Sequence, residues 1–199
     1  MARKAGVTAA ETRAQLLDAA ADVFAARGYD GASISAITRA AGLSSGAIYA
    51  HYASKADLFL AVLETYCRGQ LRRLIGTPAV PDVAEFAVLA GANAAHREPR
   101  PAALLVEAIM ASKRNPDVAE LVAGFLADGE RELAAAVKAG HHDGTIDDRV
   151  GAEAFGRFVT MVALGSALTR SLNLAGPDHA EWQTLIERLA ASLRRDPEP

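Results

Sequence analysis

The chain reads as an all-α protein, and three observations predict it. Apolar residues recur at three- and four-residue spacing along nearly the whole length, and the period-two alternation of half-buried strands is missing. Of 199 residues, 51% are hydrophobic but only 6% aromatic, with Ala and Leu abundant, which suits helices packed through small and aliphatic side chains. Helix-start signals punctuate the chain. Thr8-x-x-Glu11, Ser54-x-x-Asp57 and Asp178-x-x-Glu181 have the spacing of capping boxes, and Pro101 and Pro116 stand where a first helical turn tolerates proline.

Taken in order, the first helix starts at Thr8, buries Leu16, Leu17, Ala20, Val23 and Phe24, and stops at Gly28. Ser33 caps a short second helix whose buried face is expected to be Ile34, Ile37, Ala40 and Ala41. Gly42 follows at once, where a sharp turn between packed helices needs positive φ. Leu43 plugs that turn into the core. Ser44 and Ser45 offer an N-cap for a third helix over 45–51, with Ile48 and Tyr52 inward. A fourth helix over 54–75 buries Leu58, Phe59, Val62, Leu63 and Tyr66. The Gly- and Pro-bearing stretch 76–81 marks a domain boundary. Five further helices are expected over 82–96, 101–114, 116–139, 149–173 and 178–195, followed by a disordered tail.

The segment from Ser33 to Lys55 carries the most chemistry. Two short helices joined by a tight turn have the layout of a DNA-reading helix-turn-helix. The outward residues of the third helix are small: Ser44, Ser45, Gly46, Ala47 and Ala50. Small side chains let a helix backbone sit deep in a major groove about 12 Å wide. Ser45, Gly46, Ala47 and Ala50 are therefore expected at base edges. Ser33, Ser44, Tyr49, His51 and Lys55 are expected at phosphates, with Lys55 at the start of the fourth helix, where its charge and the helix terminus both favour an anion. Arg3 and Lys4 in the N-terminal arm are candidates for added contacts. Charge is distributed accordingly. The chain totals −3, but residues 1–73 hold +3 and residues 74–199 hold −6, so the positive charge lies at the end expected to meet DNA.

These residues resemble the N-terminal domain of the TetR family of transcriptional regulators. The similarity lies in Ile37-Thr38-Arg39-Ala40-Ala41-Gly42-Leu43-Ser44, then Gly46-Ala47-Ile48-Tyr49-Ala50-His51-Tyr52, then Ser54-Lys55, and it extends from about Arg13 to about Leu63. Thr38 stands where the family usually has Ala, Tyr52 where it has Phe, and Ala36 where an acidic residue often closes a capping box. The resemblance implies a DNA-binding domain over residues 1–55, the helix at about 54–75 as a connector, and a larger helical ligand-binding and dimerisation domain over 76–199. It further implies a homodimer formed through the last two helices, a double-stranded DNA operator as partner, and regulation by a small ligand.

The C-terminal half is less legible from its residues. Phe155, Phe158, Val159, Val162 and Gly165-Ser166 form one wide apolar stripe, and Trp182, Leu185, Ile186, Leu189 and Leu193 form another. Such stripes either pair with a second copy in a four-helix bundle or close the chain's own core; the resemblance implies the former. Phe86, Leu89, Leu104, Leu105, Met110, Leu121, Phe125 and Met161 are candidate linings of an apolar ligand pocket, against the plainer reading of core residues. Glu107 and His96 are read as exposed or bonded to a helix end.

Several classes are excluded or disfavoured. There is no eighteen-residue apolar run to cross a membrane and no signal-peptide core, and the single cysteine, Cys67, fits a reducing cytoplasm. His141-His142-Asp143 reads as a solvated, Gly-flanked turn and not as metal ligands, and no cofactor is expected. No nucleophile–base pair or paired carboxylate suggests an enzyme. The leading reading is a dimeric, ligand-responsive repressor on a pseudo-palindromic operator. The alternative is a helical small-molecule binding or carrier module that does not act on DNA.

Overall fold

The computed structural model describes residues 8–68 and 99–194. Among them are α1 (Ala9–Gly31), α2 (Ile34–Ala41), α3 (Ser45–Tyr49), α4 (Lys55–Leu63) running into a π-helical turn (Glu64–Arg68), α5 (Pro99–Ser112), α6 (Pro116–Asp143), α7 (Ala152–Ser171) and α8 (His179–Ala191). The expected all-α class is observed. The only β-type pairing among the described residues is an isolated antiparallel bridge between Ile146 and Arg194. The domain boundary at 76–81, the helix over 82–96, Phe86, Leu89, His96, Arg3, Lys4 and the tail lie outside the described residues.

The helix starts follow the signals in the sequence. The Thr8 hydroxyl accepts from the Glu11 N–H at 3.2 Å, and the Thr8 N–H donates back to Glu11 at 2.7 Å, closing the capping box. That backbone bond, with a second from the Thr8 hydroxyl, holds the Glu11 carboxyl below the usual carboxylate range. Asn115 and Asp178 cap α6 and α8 by accepting from backbone N–H groups one to two residues inside each helix. Gly28 breaks α1 as expected, with φ 69° and ψ 172°, and one more helical turn follows the kink.

Helix ends differ from expectation where tertiary contacts decide them. The fourth helix, expected over 54–75, is α-helical over Lys55–Leu63 and passes into a π turn over Glu64–Arg68; its expected end at 69–75 lies outside the described residues. The wider turn delivers the Arg68 guanidinium to a buried site. There it pairs with Glu64 at 2.8 Å, lies 4.3 Å from the Phe125 ring and donates to the Phe125 carbonyl. Helix α6 runs four residues past its expected end. His141, His142 and Asp143 therefore form its last turn and are not a loop, and Gly144 closes the helix at φ 80°. Gly140 is required there: Thr145 and Ile146 both donate to its carbonyl, and Ile146 occupies the space of a Cβ. No group of three His, Cys, Asp or Glu able to hold a metal is found among the described residues.

Among the described residues, two hydrophobic cores are formed. The larger joins Leu16, Phe24, Ile37, Ile48, Leu58, Phe59 and Val62 of the N-terminal helices to Leu104, Ala108, Val118 and Phe125 of α5 and α6. The smaller gathers Leu133, Val137, Ile146, Ala152 and Phe155 where α6 meets α7. Gly156 makes the second contact possible: a Cβ on it would lie 2.7 Å from the Glu130 carbonyl oxygen, so α7 rests on the bare backbone of α6. Polar contacts then fasten α1 to α5. Arg100 donates to Asp18 at 2.8 Å and Asp22 at 2.9 Å and lies over the Tyr66 ring, while the Tyr66 hydroxyl donates to Asp18 at 2.9 Å. Burial and the Asp18 carboxylate push the Tyr66 hydroxyl up to about 12.

Candidate nucleic-acid interface

The helix-turn-helix forms from local chemistry. The Ser33 hydroxyl accepts from the Ala36 N–H at 3.2 Å and starts α2. Gly42 sits at φ 64°, ψ 27°, and the Leu43 N–H reaches back to the Thr38 carbonyl at 2.9 Å, closing the helix end. Nothing lies within 4 Å of a Cβ built on Gly42, so glycine is needed there for conformation and not for space. Leu43 packs against the larger core as expected, and Ile37 and Ile48 are fully buried.

One face of α2 differs from the expected one. Ala40 is exposed, and Thr38 takes its place on the buried side. The face runs through Ile34, Ile37, Thr38 and Ala41, the i, i+3, i+4, i+7 set of a single helical stripe, from which Ala40 is offset. Thr38 can be buried because its hydroxyl donates to the Ser35 carbonyl at 3.1 Å. Gln15 on α1 adds a bond to the Ala41 carbonyl at 2.9 Å, which sets the end of α2 against the first helix.

Helix α3 is shorter than expected: Ala50 is its C-cap and His51 lies in the following turn. Ser44 precedes it as N-cap but makes no side-chain capping bond, so its hydroxyl is not committed to the helix start. Gly46, Tyr49, Ala50 and His51 are exposed, Tyr49 by 59%. Ser45 and Ala47 lie on the same short helix. Of the candidates, Ser44, Gly46, Tyr49, Ala50 and His51 are thus exposed on one short segment, while Ser33 and Lys55 stand at the starts of the helices on either side of it; Ser35 and Arg39 of α2 are exposed as well.

Lys55 behaves differently from a free surface lysine. Its Nζ donates to the Tyr29 carbonyl at 2.8 Å and the Ala32 carbonyl at 3.1 Å, and it stands 4.2 Å from the centre of the Tyr29 ring. An ammonium has three donors, so two are engaged within the protein. The third, together with the N–H groups of the first turn of α4, is what this corner can offer a phosphate. Tyr29 also donates its N–H to the Glu107 carboxylate at 2.7 Å, so Glu107 is bonded to a helix end, as its sequence context suggested.

The candidate pocket residues are divided by the fold. Leu104 and Phe125 are buried, and Leu105 and Leu121 pack against the same core. Met110 and Met161 do not line an interior space: they are 46% and 65% exposed. Both lie on the outer faces of their helices, and on α7 the inward positions are taken by Ala152, Phe155 and Gly156. Met161 is exposed instead with Phe158, Val162 and Leu168 of α7, and Leu185 and Leu189 are exposed on α8. Arg68 was not singled out by its sequence; Glu64 and Arg68 have the i, i+4 spacing of an ordinary surface pair, and nothing local announces burial.

Comparison with known proteins agrees with this geometry. Residues 16–62 match the family described as bacterial regulatory proteins, tetR family. The HTH-type transcriptional regulator SrpR of Pseudomonas putida is 44% identical over 63 residues, which are 32% of this chain and 30% of SrpR. The HTH-type transcriptional regulator UidR of Escherichia coli K12 is 29% identical over 111 residues, 56% of this chain and 57% of UidR. The chain thus spans less than two thirds of either relative. The crystal structure of a TetR-family regulator from a Rhodococcus species superposes with a TM-score of 0.78 at 15% identity, covering 94% of this chain and all of that one.

Proposed function

We propose that this chain, whose helix-turn-helix domain belongs to the TetR family, is a dimeric, ligand-responsive transcriptional regulator that represses by occupying a pseudo-palindromic operator. The observation that carries the reading is the exposed set Ser44, Gly46, Tyr49, Ala50 and His51, which follows a turn that Gly42 closes. Ser45, Gly46, Ala47 and Ala50 meet base edges. Ser33, Ser44, Tyr49, His51 and the remaining donor of Lys55 meet phosphates.

One segment this short, with small side chains, reads too few bases to be specific alone, so a second copy is required. The exposed apolar residues of the last two helices support pairing: Phe158, Met161, Val162 and Leu168 on α7 and Leu185 and Leu189 on α8 are what a second copy would cover. The body then binds a small, largely apolar molecule near Leu105, Leu121 and Phe125, where α4 and its π turn meet α5 and α6. The bound molecule tilts α4 and changes the spacing of the two heads. A preference of about 3 kcal/mol for the altered spacing would shift the equilibrium more than a hundredfold.

The test is selection of duplexes from a random-sequence library by the full-length chain. The expected product is a pseudo-palindrome with half-sites centred roughly 34–36 Å apart or somewhat more. Failure to enrich any duplex would favour the carrier reading.

A further inference from the structure

Two sets of polar contacts join the N-terminal helices to α5, and they end in different places. Arg100 grips the flank of α1 through Asp18 and Asp22, carboxylates that are 59% and 66% exposed. Glu107 reaches the end of α1, at the turn that leads to α2, and is only 20% exposed. Its carboxylate accepts the Tyr29 N–H at 2.7 Å, while the carbonyl of the same residue accepts from Lys55 at 2.8 Å. Tyr29 is therefore held on one side by the body and on the other by a candidate phosphate-contacting lysine.

The local structure is built for this approach. Gly28 adopts φ 69°, and a Cβ there would lie 3.1 Å from both Glu107 oxygens, so a side chain would crowd the carboxylate as well as strain the backbone. Arg114 braces the pair, 2.7 Å from Asp30 and 3.8 Å from Glu107. A half-buried carboxylate accepting a backbone N–H makes a short, strong, directional bond, less screened than the exposed Arg100 contacts. The Lys55 ammonium has a matching constraint. It is fixed by the Tyr29 and Ala32 carbonyls and the Tyr29 ring, so its place depends on how that turn is held.

We propose that Glu107 is a positioning residue for DNA binding. From α5 it holds Tyr29 so that Lys55 and the first turn of α4 stand ready for a phosphate, and a displacement of α5 reaches the DNA-facing surface through Tyr29. This rests on the regulator reading above. Glu107 touches no DNA itself; it acts through Lys55.

A double-mutant cycle on the full-length protein tests the relay. The probe is a duplex selected by the wild-type chain, with affinity read by fluorescence anisotropy. Glu107→Ala is expected to weaken binding roughly tenfold in the wild-type background and less than about twofold in a Lys55→Ala background. Glu107→Gln, whose amide oxygen can still accept the Tyr29 N–H, is expected to restore most of the affinity. Arg100→Ala, which loosens the same helix pair elsewhere, should leave the Lys55 contribution intact. If Glu107→Ala fails to fold, Glu107→Asp carries the same cycle, since it keeps the charge but withdraws the carboxylate by one methylene. Additive losses, an unchanged affinity, or an equal Lys55-dependent loss from Arg100→Ala would each overturn the relay while leaving the regulator reading standing. A wild-type chain that selects no duplex would overturn both.

Discussion

Replacing Gly156 with alanine sets two known effects against each other. Alanine is the better helix former, by about 0.8–1.0 kcal/mol in a helix interior. Against it stands the contact between α7 and α6. The new Cβ would lie 2.7 Å from the Glu130 carbonyl oxygen and 3.4 Å from the Glu130 Cα and carbonyl carbon. Ordinary van der Waals contact begins near 3.4 Å, so the helices must separate by a few tenths of an ångström or more. The obstacle is backbone, which cannot swing aside as a side-chain tip can. Overpacking of this kind costs about 1–3 kcal/mol, so the strain should win, for a net loss of about 1 kcal/mol. Gly124 on α6 is an internal control, because nothing lies within 4 Å of a Cβ built there. Gly124→Ala should be stabilising by up to about 1 kcal/mol. In a chain of this size each kcal/mol moves the melting temperature by roughly 2–4 °C. Thermal and urea denaturation followed by circular dichroism at fixed protein concentration would therefore give shifts of opposite sign for the same substitution at two positions. If Gly156→Ala stabilises as much as Gly124→Ala, close α6–α7 packing is not what the glycine serves.

Three further outcomes are expected. The Tyr52 hydroxyl is buried with no hydrogen-bond partner among the described residues, so Tyr52→Phe should stabilise the protein by about 1 kcal/mol; a loss of stability in urea denaturation would show that the hydroxyl is satisfied. If the proposed pairing holds, Leu185→Asp, at an exposed leucine of α8, should give a monomer in sedimentation velocity where wild type gives a dimer, and weaken binding to a selected duplex with it; a monomer that binds that duplex as tightly as wild type would refute pairing through α7 and α8. The Tyr66 hydroxyl and Arg100 hold the Asp18 carboxyl below its ordinary value, so its contribution to stability is complete above the unfolded carboxylate range, near pH 4, and is lost as pH falls through the lower folded value. Asp18→Asn should accordingly flatten the acid limb of the stability profile below about pH 4, and an unchanged limb would remove Asp18 from that role.

How much of this protein can be read from its sequence depends on the distance over which each feature is decided. The Thr8 capping box, the Ser33 cap, the Gly42 turn and the buried Ile37 and Ile48 all arise within a few residues of themselves, from helical periodicity and the conformational freedom of glycine. They were legible, and with them the helix-turn-helix. Even there, Ala40 and Thr38 exchanged roles, because alanine suits either face and only packing against α1 chooses. The remaining features were settled by partners far along the chain. Lys55 has the spacing of a phosphate ligand, yet two of its donors are taken by carbonyls 26 and 23 residues away. Glu107 finds the Tyr29 N–H across 78 residues, and Arg68 finds the Phe125 carbonyl across 57. Met110 and Met161 have the spacing and chemistry of core residues but stand outside, since periodicity defines an apolar stripe without saying what covers it. The sequence by itself determined the helices, their caps and the turn that presents Ser44–His51. Only the tertiary structure decided which charges are spent inside the protein and which apolar faces remain uncovered, because both depend on which helices meet, and that is a property of the whole packed chain.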